Sequence, residues 1–324
     1  MEVVFYRERY CDAEVIGKRD NGMSILVVGS VALDSVETPY GKANGILGGS
    51  ATYFTAAASL YTKVNLVAVV GTDFPLQQIQ FLSQRGVDTR GLQVADGETF
   101  CWAGRYNYET NTCENLDTRL NVFADFHPVL PEGYEQSDFV FLANIDPDLQ
   151  YEVLKQVPQA RLTMLDTREL WVNNKRKSLM AAISPVDVVT MNEEEARALT
   201  GTYSTLIAAK ALLNLGPKIV IVKQGEYGCT MFSENGYFSA PACLLEDVQD
   251  PTGAGDSFAG GFLGYLDKAG EMTPQSIRRA IIHGCATASF TVEEFGVDRL
   301  RSLTLDDIAR RYQELHQCTH FEGG

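Results

Sequence analysis

Six short apolar runs recur along the chain: SILVVG (24–29), VNLVAVV (64–70), FVFLAN (139–144), RLTMLD (161–166), VDVVTMN (186–192) and KIVIVK (218–223). Most are rich in β-branched residues, and each ends at or just before a glycine or a polar residue. Continuous apolar runs of that length predict strands buried on both faces. Between most of them lie stretches of helical composition. Ser50–Tyr61 is rich in alanine, and Asp73–Arg85 is closed by Gly86; both predict helices. Strands alternating with helices predict a mostly parallel sheet covered on both faces. No repeat or linker divides the chain. Residues 24–317 are expected to form one domain, with 1–23 an N-terminal extension and 318–324 a C-terminal tail.

Two stretches break this rhythm. Residues 35–47 and 98–126 have polar and turn character without a helical period. In the second, Phe100, Trp102, Tyr106 and Tyr108 all fall at even positions, so a strand there would show its aromatics on one side. The two stretches predict a small β layer, either covering the core or acting as a lid over a ligand. Lys42, Arg105 and Arg119 within them are candidates to contact a phosphate or carboxylate of a ligand, although such residues are more often simply solvated.

Composition narrows the function. The chain has 324 residues, enough for one large α/β domain or two small ones. Its formal charge of −15 argues against nucleic-acid or anionic-membrane binding, which need a basic surface. No run reaches the ~18 apolar residues of a membrane span. The first 23 residues carry charges throughout and no apolar signal core. Seven cysteines are scattered without a CxxC pair, as in a reduced, cytoplasmic protein.

In open α/β sheets, ligands bind beyond the carboxyl ends of the strands. Asp34, Asn144, Asp146, Asp166, Asn192–Glu195, Gly225 and Gly228 follow the predicted strands there. One stretch stands apart: Asp250-Pro251-Thr252-Gly253-Ala254-Gly255-Asp256-Ser257-Phe258. A Gly-Ala-Gly turn opening a helix leaves main-chain N–H groups unobstructed, and a helix N-terminus attracts phosphate. Asp256 in the first turn is expected to stay ionised and to serve as a base beside that anion hole. Phosphoryl transfer needs this combination of base and preorganised donors.

DPTGAGDSFAGGF closely resembles the C-terminal signature of the PfkB carbohydrate kinases, the ribokinase family, with every fixed position of Asp-x-Thr-x-Ala-Gly-Asp-x-Phe met. The resemblance extends over roughly residues 24 to 300. It implies a ribokinase-like α/β fold: a central, mostly parallel sheet with helices on both faces and a small β lid drawn from 35–47 and 98–126. It also implies ATP and Mg2+ as cofactors, with K+ a further candidate. Asp256 would be the catalytic base and Gly253, Ala254 and Gly255 the anion hole. Asp34, Gly48, Gly49, Thr52 and Asp146 would contact substrate together with Asp256. Asn192, Lys223, Gly225, Gly228, Gly255 and His283 would contact the nucleotide. Glu195 of Asn192-x-x-Glu195 would organise magnesium indirectly, and Asp250 with Thr252 would help hold a monovalent cation. In several relatives the lid also builds a homodimer interface.

The chain departs from the ribokinase type after the di-glycine, where GGSATYF offers Thr52 or Tyr53 in place of asparagine. LDTRELW (165–171) is similar to, but shorter than, the Asp-x-Asn-x-Arg-x-x-Leu-Trp run of keto-deoxygluconate and fructose kinases. The expected activity is ATP-dependent phosphorylation of a primary hydroxyl on a sugar or sugar derivative. A nucleoside kinase is the alternative, since the aromatics could stack on a base. A non-catalytic sugar-binding relative ranks behind both. A nicotinamide oxidoreductase is discarded because GSVALD supplies only one glycine of the G-x-G-x-x-G fingerprint.

Overall fold

The computed structural model describes residues 24–320; the extension 1–23 and the end of the tail, 321–324, lie outside the described residues. Thirteen strands are present among them: β1 (Ser24–Val28), β2 (Ala32–Thr38), β3 (Gly41–Gly48), β4 (Lys63–Gly71), β5 (Asp88–Ala95), β6 (Cys101–Asn107), β7 (Thr112–Arg119), β8 (Phe139–Leu142), β9 (Leu162–Asp166), β10 (Val188–Asn192), β11 (Ile219–Lys223), β12 (Cys229–Ser233) and β13 (Gly236–Ala240). Nine form one sheet in the order β13-β12-β11-β10-β9-β8-β1-β4-β5. It is parallel except where β12 and β13 join antiparallel at one edge. All six apolar runs are strands of its interior.

The apolar runs are continuous because both faces are covered. In β1, Ile25 and Val27 join one hydrophobic cluster, while Leu26 and Val28 join the other. The first cluster is closed by the helices Ser50–Ala58, Ala254–Ala269 and Pro274–Thr291. The second is closed by Pro147–Gln156, Arg176–Ile183 and Thr205–Leu213. Each fully buried Val, Leu or Ile contributes about 1.5–3 kcal/mol, so misplacing a single strand register would be costly.

The two irregular stretches form the second sheet, β3-β2-β6-β7. Each is an antiparallel hairpin, and β2 pairs parallel with β6 to join them. The helix expected over Asp73–Arg85 is shorter than its pattern suggests: a 3-10 turn over Leu76–Ile79 followed by Gln80–Gln84. Asp73 is committed elsewhere, accepting hydrogen bonds from Thr99 N at 2.8 Å and Thr99 Oγ1 at 2.7 Å. Pro75 then supplies no N–H to continue a helix.

Strand order reverses around β1, which lies between β4 and β8. Such a switch point opens a crevice at the carboxyl ends of the strands. Tyr40 OH donates to Asp247 at 2.7 Å, Tyr108 OH to the Val248 carbonyl at 2.9 Å, and Thr252 Oγ1 to Tyr106 OH at 3.1 Å. The small sheet is thereby fastened over the crevice, onto the segment that leads into DPTGAGD.

Candidate active site

A cavity of about 320 Å³ lies between the carboxyl ends of the strands and the small sheet. On its floor the helix Ala254–Ala269 begins at Gly253, whose φ of +75° is left-handed. A side chain at 253 would also collide with the Tyr53 ring, so glycine is required twice over. The Ala254 amide is bonded to the Pro251 carbonyl at 3.3 Å. Among the described residues, the amides of Gly253, Gly255 and Asp256 have no partner. The free donors are therefore 253, 255 and 256, with 256 taking the place of 254 in the expected 253–255 set. Gly253, Gly255 and Asp256 all line the cavity.

Asp34, from β2, is 3% exposed and also lines the cavity, and its Oδ1 has no hydrogen-bond partner. Gly48 stands behind it, outside the cavity; any Cβ there would strike the Asp34 carboxylate. Gly49 borders the cavity at the start of the helix Ser50–Ala58.

Asn192 and Glu195 form a capping box: Asn192 N donates to Glu195 Oε2 at 2.9 Å, and Glu195 N to Asn192 Oδ1 at 2.7 Å. Both line the cavity, as do Lys223 and Gly225 after β11. Lys223 Nζ binds Asp166 Oδ2 at 2.6 Å and lies 2.9 Å from where a Gly255 Cβ would be.

Four carboxylates thus share one enclosed space, and their electrostatics follow. Burial pushes Asp34 up to about 7, opposed by the Arg168 charge. Burial and then the neighbouring Asp166 charge push Asp256 up to about 7 as well, with Lys223 and Arg168 pulling the other way. Glu195 rises to about 7 for the same two reasons. The helix terminus was expected to keep Asp256 fully ionised; desolvation and like charge outweigh it, and the group is poised to gain or lose a proton near neutrality.

Other expected contacts lie elsewhere. Thr52 is fully buried within its helix, and Tyr53 faces the cavity in its place. Asp146 caps the helix Pro147–Gln156, accepting from Asp148 N at 3.0 Å, and pairs with Lys175 at 2.6 Å. Gly228 closes a turn in which its carbonyl accepts from Gln224 N at 2.7 Å. His283 is caged by Tyr265 at 4.1 Å and Tyr312 at 4.8 Å, with Tyr61 OH 3.2 Å from its Nδ1. Burial lowers its pKa to about 4, keeping it neutral. None of these four lines the cavity.

Asp250 lies beneath the site, 0% exposed, with its oxygens accepting from Thr252 N and Gly296 N at 2.9 Å each. Thr252 reaches the cavity itself. The lid cations Lys42, Arg105 and Arg119 pair with Glu37 and Asp117 on the lid surface.

Tyr53, offered by the sequence as the alternative to Thr52, and Asp166, placed there at a strand end without a role, line the cavity with Arg168, which had no assigned role, beside the aromatic rings of Phe100, Trp102 and Tyr106. A polar residue directly after a buried strand was the available signal for Asp166. The LDTRELW run was the signal for Arg168.

A doubly wound sheet with its pocket at the switch point, a β lid above it and free helix-terminal amides on its floor is the architecture of the ribokinase-like α/β class. The family model of the pfkB family carbohydrate kinases matches residues 24–302, and the chain belongs to that family. It is a sugar or nucleoside kinase, a phosphotransferase with an alcohol group as acceptor. The chain is 32% identical to a cytidine kinase from Thermococcus kodakarensis over 75% of this chain and 88% of that one. Among solved structures it resembles the Methanocaldococcus jannaschii nucleoside kinase, with a TM-score of 0.72, 20% identity, and 91% and 100% of the two chains covered. It likewise resembles a double mutant of Vibrio cholerae O395 fructokinase bound to fructose, ADP and potassium, with a TM-score of 0.73, 19% identity, and 91% and 100% covered. Among the described residues no helix is long and apolar enough to cross a membrane.

Proposed function

We propose that the chain transfers the γ-phosphoryl group of ATP to a primary hydroxyl of a sugar or sugar derivative, with Asp256 as the base. One observation carries this reading. The unbonded amides of Gly253, Gly255 and Asp256, the Asp256 carboxylate and the orphaned Asp34 Oδ1 all belong to residues that line a single cavity. Asp34 Oδ1 is a buried acceptor awaiting a donor, and a substrate hydroxyl supplies one. Asp256 takes the proton of the attacking hydroxyl as its oxygen forms the new bond to phosphorus and the bond to the leaving diphosphate breaks. The free amides receive the charge that develops on the phosphoryl oxygens.

The nucleotide would run from this helix mouth past Lys223 and Asn192 toward Gly225. No group of three or more His, Cys, Asp or Glu side chains among the described residues could cage a metal. Mg2+ would therefore come mainly on the phosphates, as is usual for that ion, with Glu195 and Asn192 beside it. Bound there, it would neutralise phosphate charge. Asp250 is a fully buried carboxylate with only main-chain donors as partners, in keeping with a monovalent cation such as K+ shared between the loops at 250–252 and 292–296. Pairing through the outer lid strands would give a homodimer, and the reading places the enzyme in the cytoplasm.

A nucleoside acceptor is the second reading, favoured by the rings of Phe100, Trp102 and Tyr106 along one wall and by the similarity to a cytidine kinase. Thermal-shift screening of nucleosides, sugars and sugar phosphates with a non-hydrolysable ATP analogue separates the two, because a ligand stabilises in proportion to ln(1 + [L]/Kd). Asp256→Asn is expected to lower turnover about 10²–10⁴-fold while leaving nucleotide affinity intact. Near-normal turnover in that variant would remove Asp256 from the mechanism.

A further inference from the structure

Three residues that line the cavity carry buried polar atoms without a hydrogen-bond partner among the described residues: Asp34 Oδ1, Tyr53 OH and Thr167 Oγ1. The two hydroxyls can turn to donate or to accept, whereas ionised Asp34 only accepts. Asn144 has the opposite character. It stands two residues beyond β8, half-buried, and lines the same cavity. The Trp171 indole Nε1 donates to its Oδ1 at 2.8 Å. An indole N–H can only donate, so the atom it meets is the amide oxygen, and this settles which way the amide is turned. What remains is Nδ2, a pair of N–H donors with no bond among the described residues.

The amide is held by elements on either side of it. Trp171 lies in the short helix Glu169–Asn174 and packs against the second hydrophobic cluster. Gln150 is 0% exposed in the helix Pro147–Gln156, and its Nε2 donates to the Ala143 and Asp166 carbonyls at 2.9 Å each. It thereby ties the end of β8 to the end of β9, where the chain leaves for the Trp171 helix. Asp146, the other polar residue after β8, is taken up by its own helix and by Lys175. A free side-chain amide can present either end and so tolerates ligands of either polarity. One locked by its oxygen presents donors alone, and it discriminates.

We infer that Asn144 is a specificity-determining residue, its Nδ2 donating to an oxygen or unprotonated ring nitrogen of the phosphoryl-accepting molecule, away from the reacting hydroxyl. Trp171 is the positioning residue that keeps the amide turned that way. The inference rests on the kinase reading above. The substrate has to bring a donor to Asp34 and an acceptor to Asn144, as a polyol or a nucleoside does and a simple aliphatic alcohol does not. Neither residue exchanges a proton or touches the phosphoryl group.

The test uses the full chain with ATP, Mg2+ and those ribonucleosides, hexoses and hexose phosphates that the unmodified chain turns over. Asn144→Leu, similar in volume but without donors, is expected to raise the KM of the accepting molecule about 3–30-fold. The kcat and the KM for ATP should stay within about twofold. Asn144→Ala, which asks nothing of the packing, should give the same split. Trp171→Phe keeps a packed ring and loses the N–H; it should raise the same KM by less, and add nothing in the Asn144→Leu background. A tryptophan with a merely structural role would not give that non-additivity. Analogues of the accepting molecule, each lacking one oxygen or ring nitrogen, locate the partner: one should bind the unmodified chain more weakly yet lose nothing further with Asn144→Leu. An unchanged KM in both Asn144 variants, a loss confined to kcat, or losses that add for every analogue overturns the inference. A Trp171→Phe loss that adds to that of Asn144→Leu overturns the tryptophan's part. Asp256→Asn run in parallel separates the failures: lost turnover there with an unchanged KM in the Asn144 variants refutes the asparagine's role alone, whereas full turnover in Asp256→Asn refutes the reading of the site.

Discussion

Asp34→Asn should make the ligand-free protein more stable in a pH-dependent way while weakening its function. Asp34 is 3% exposed, and burial raises its pKa from 3.8 to about 7. The sign follows from linkage. A carboxyl whose pKa is raised by folding binds its proton more tightly in the native state, so stability is greatest below the unfolded pKa and falls as pH rises toward the folded one. With about 1.4 kcal/mol per pKa unit, burying Asp34 costs about 4 kcal/mol at pH 8 but only about 2 kcal/mol at pH 5, where the native carboxyl is mostly protonated. Asparagine has no charge to desolvate. Its steric and hydrogen-bonding costs do not depend on pH, so they cancel when the two pH values are compared. The stability difference between variant and parent should therefore shift by about 2–3 kcal/mol in the variant's favour between pH 5 and pH 8. Urea denaturation of the ligand-free proteins at the two pH values measures this directly. A difference that stays constant across the range would show that Asp34 is not held ionised against burial, and its assignment as an orphaned acceptor awaiting substrate would fail with it. The same variant should bind the acceptor more weakly, because the side chain that awaits the hydroxyl has changed.

Two further outcomes test the floor of the cavity. Gly253→Ala should cost about 1–2 kcal/mol from the left-handed backbone alone, and more from the collision with the Tyr53 ring; a Tm and turnover equal to the parent's would contradict the geometry of the turn. The kcat/KM profile of the unmodified enzyme should rise with pH through about 7, as the free enzyme's Asp256 loses its proton. A profile flat from pH 5.5 to 8 would mean that another group accepts the proton.

How much of this could be read from the chain depended on whether the physics was local. The interior strands were legible because a parallel strand covered on both faces must be apolar throughout, as Ile25 to Val28 are. β5, β12 and β13 lie at or beside the sheet edges, where that demand lapses; Gly236–Ala240 is mostly exposed and carries no continuous apolar run. β7 is exposed along its whole length, so its residues record no facing at all. The helix mouth at Gly253 was legible for the opposite reason: turn, amides and carboxylate are neighbours in sequence, and seven consecutive residues hold the whole device. Tyr53 and Arg168 are brought to that device only by folding, from a helix on one side of β1 and a turn beyond β9. The capping role of Asp146 was also legible, since Asp-Pro-Asp at a helix start is the signature of a cap. His283 packs between tyrosines that only the fold brings to it, and burial keeps its ring neutral. The Gly48–Asp34 contact joins both kinds of information. A di-glycine in the sequence signals a close approach without naming the partner, and the fold supplies it: a buried carboxylate that any larger residue at 48 would push out of the cavity.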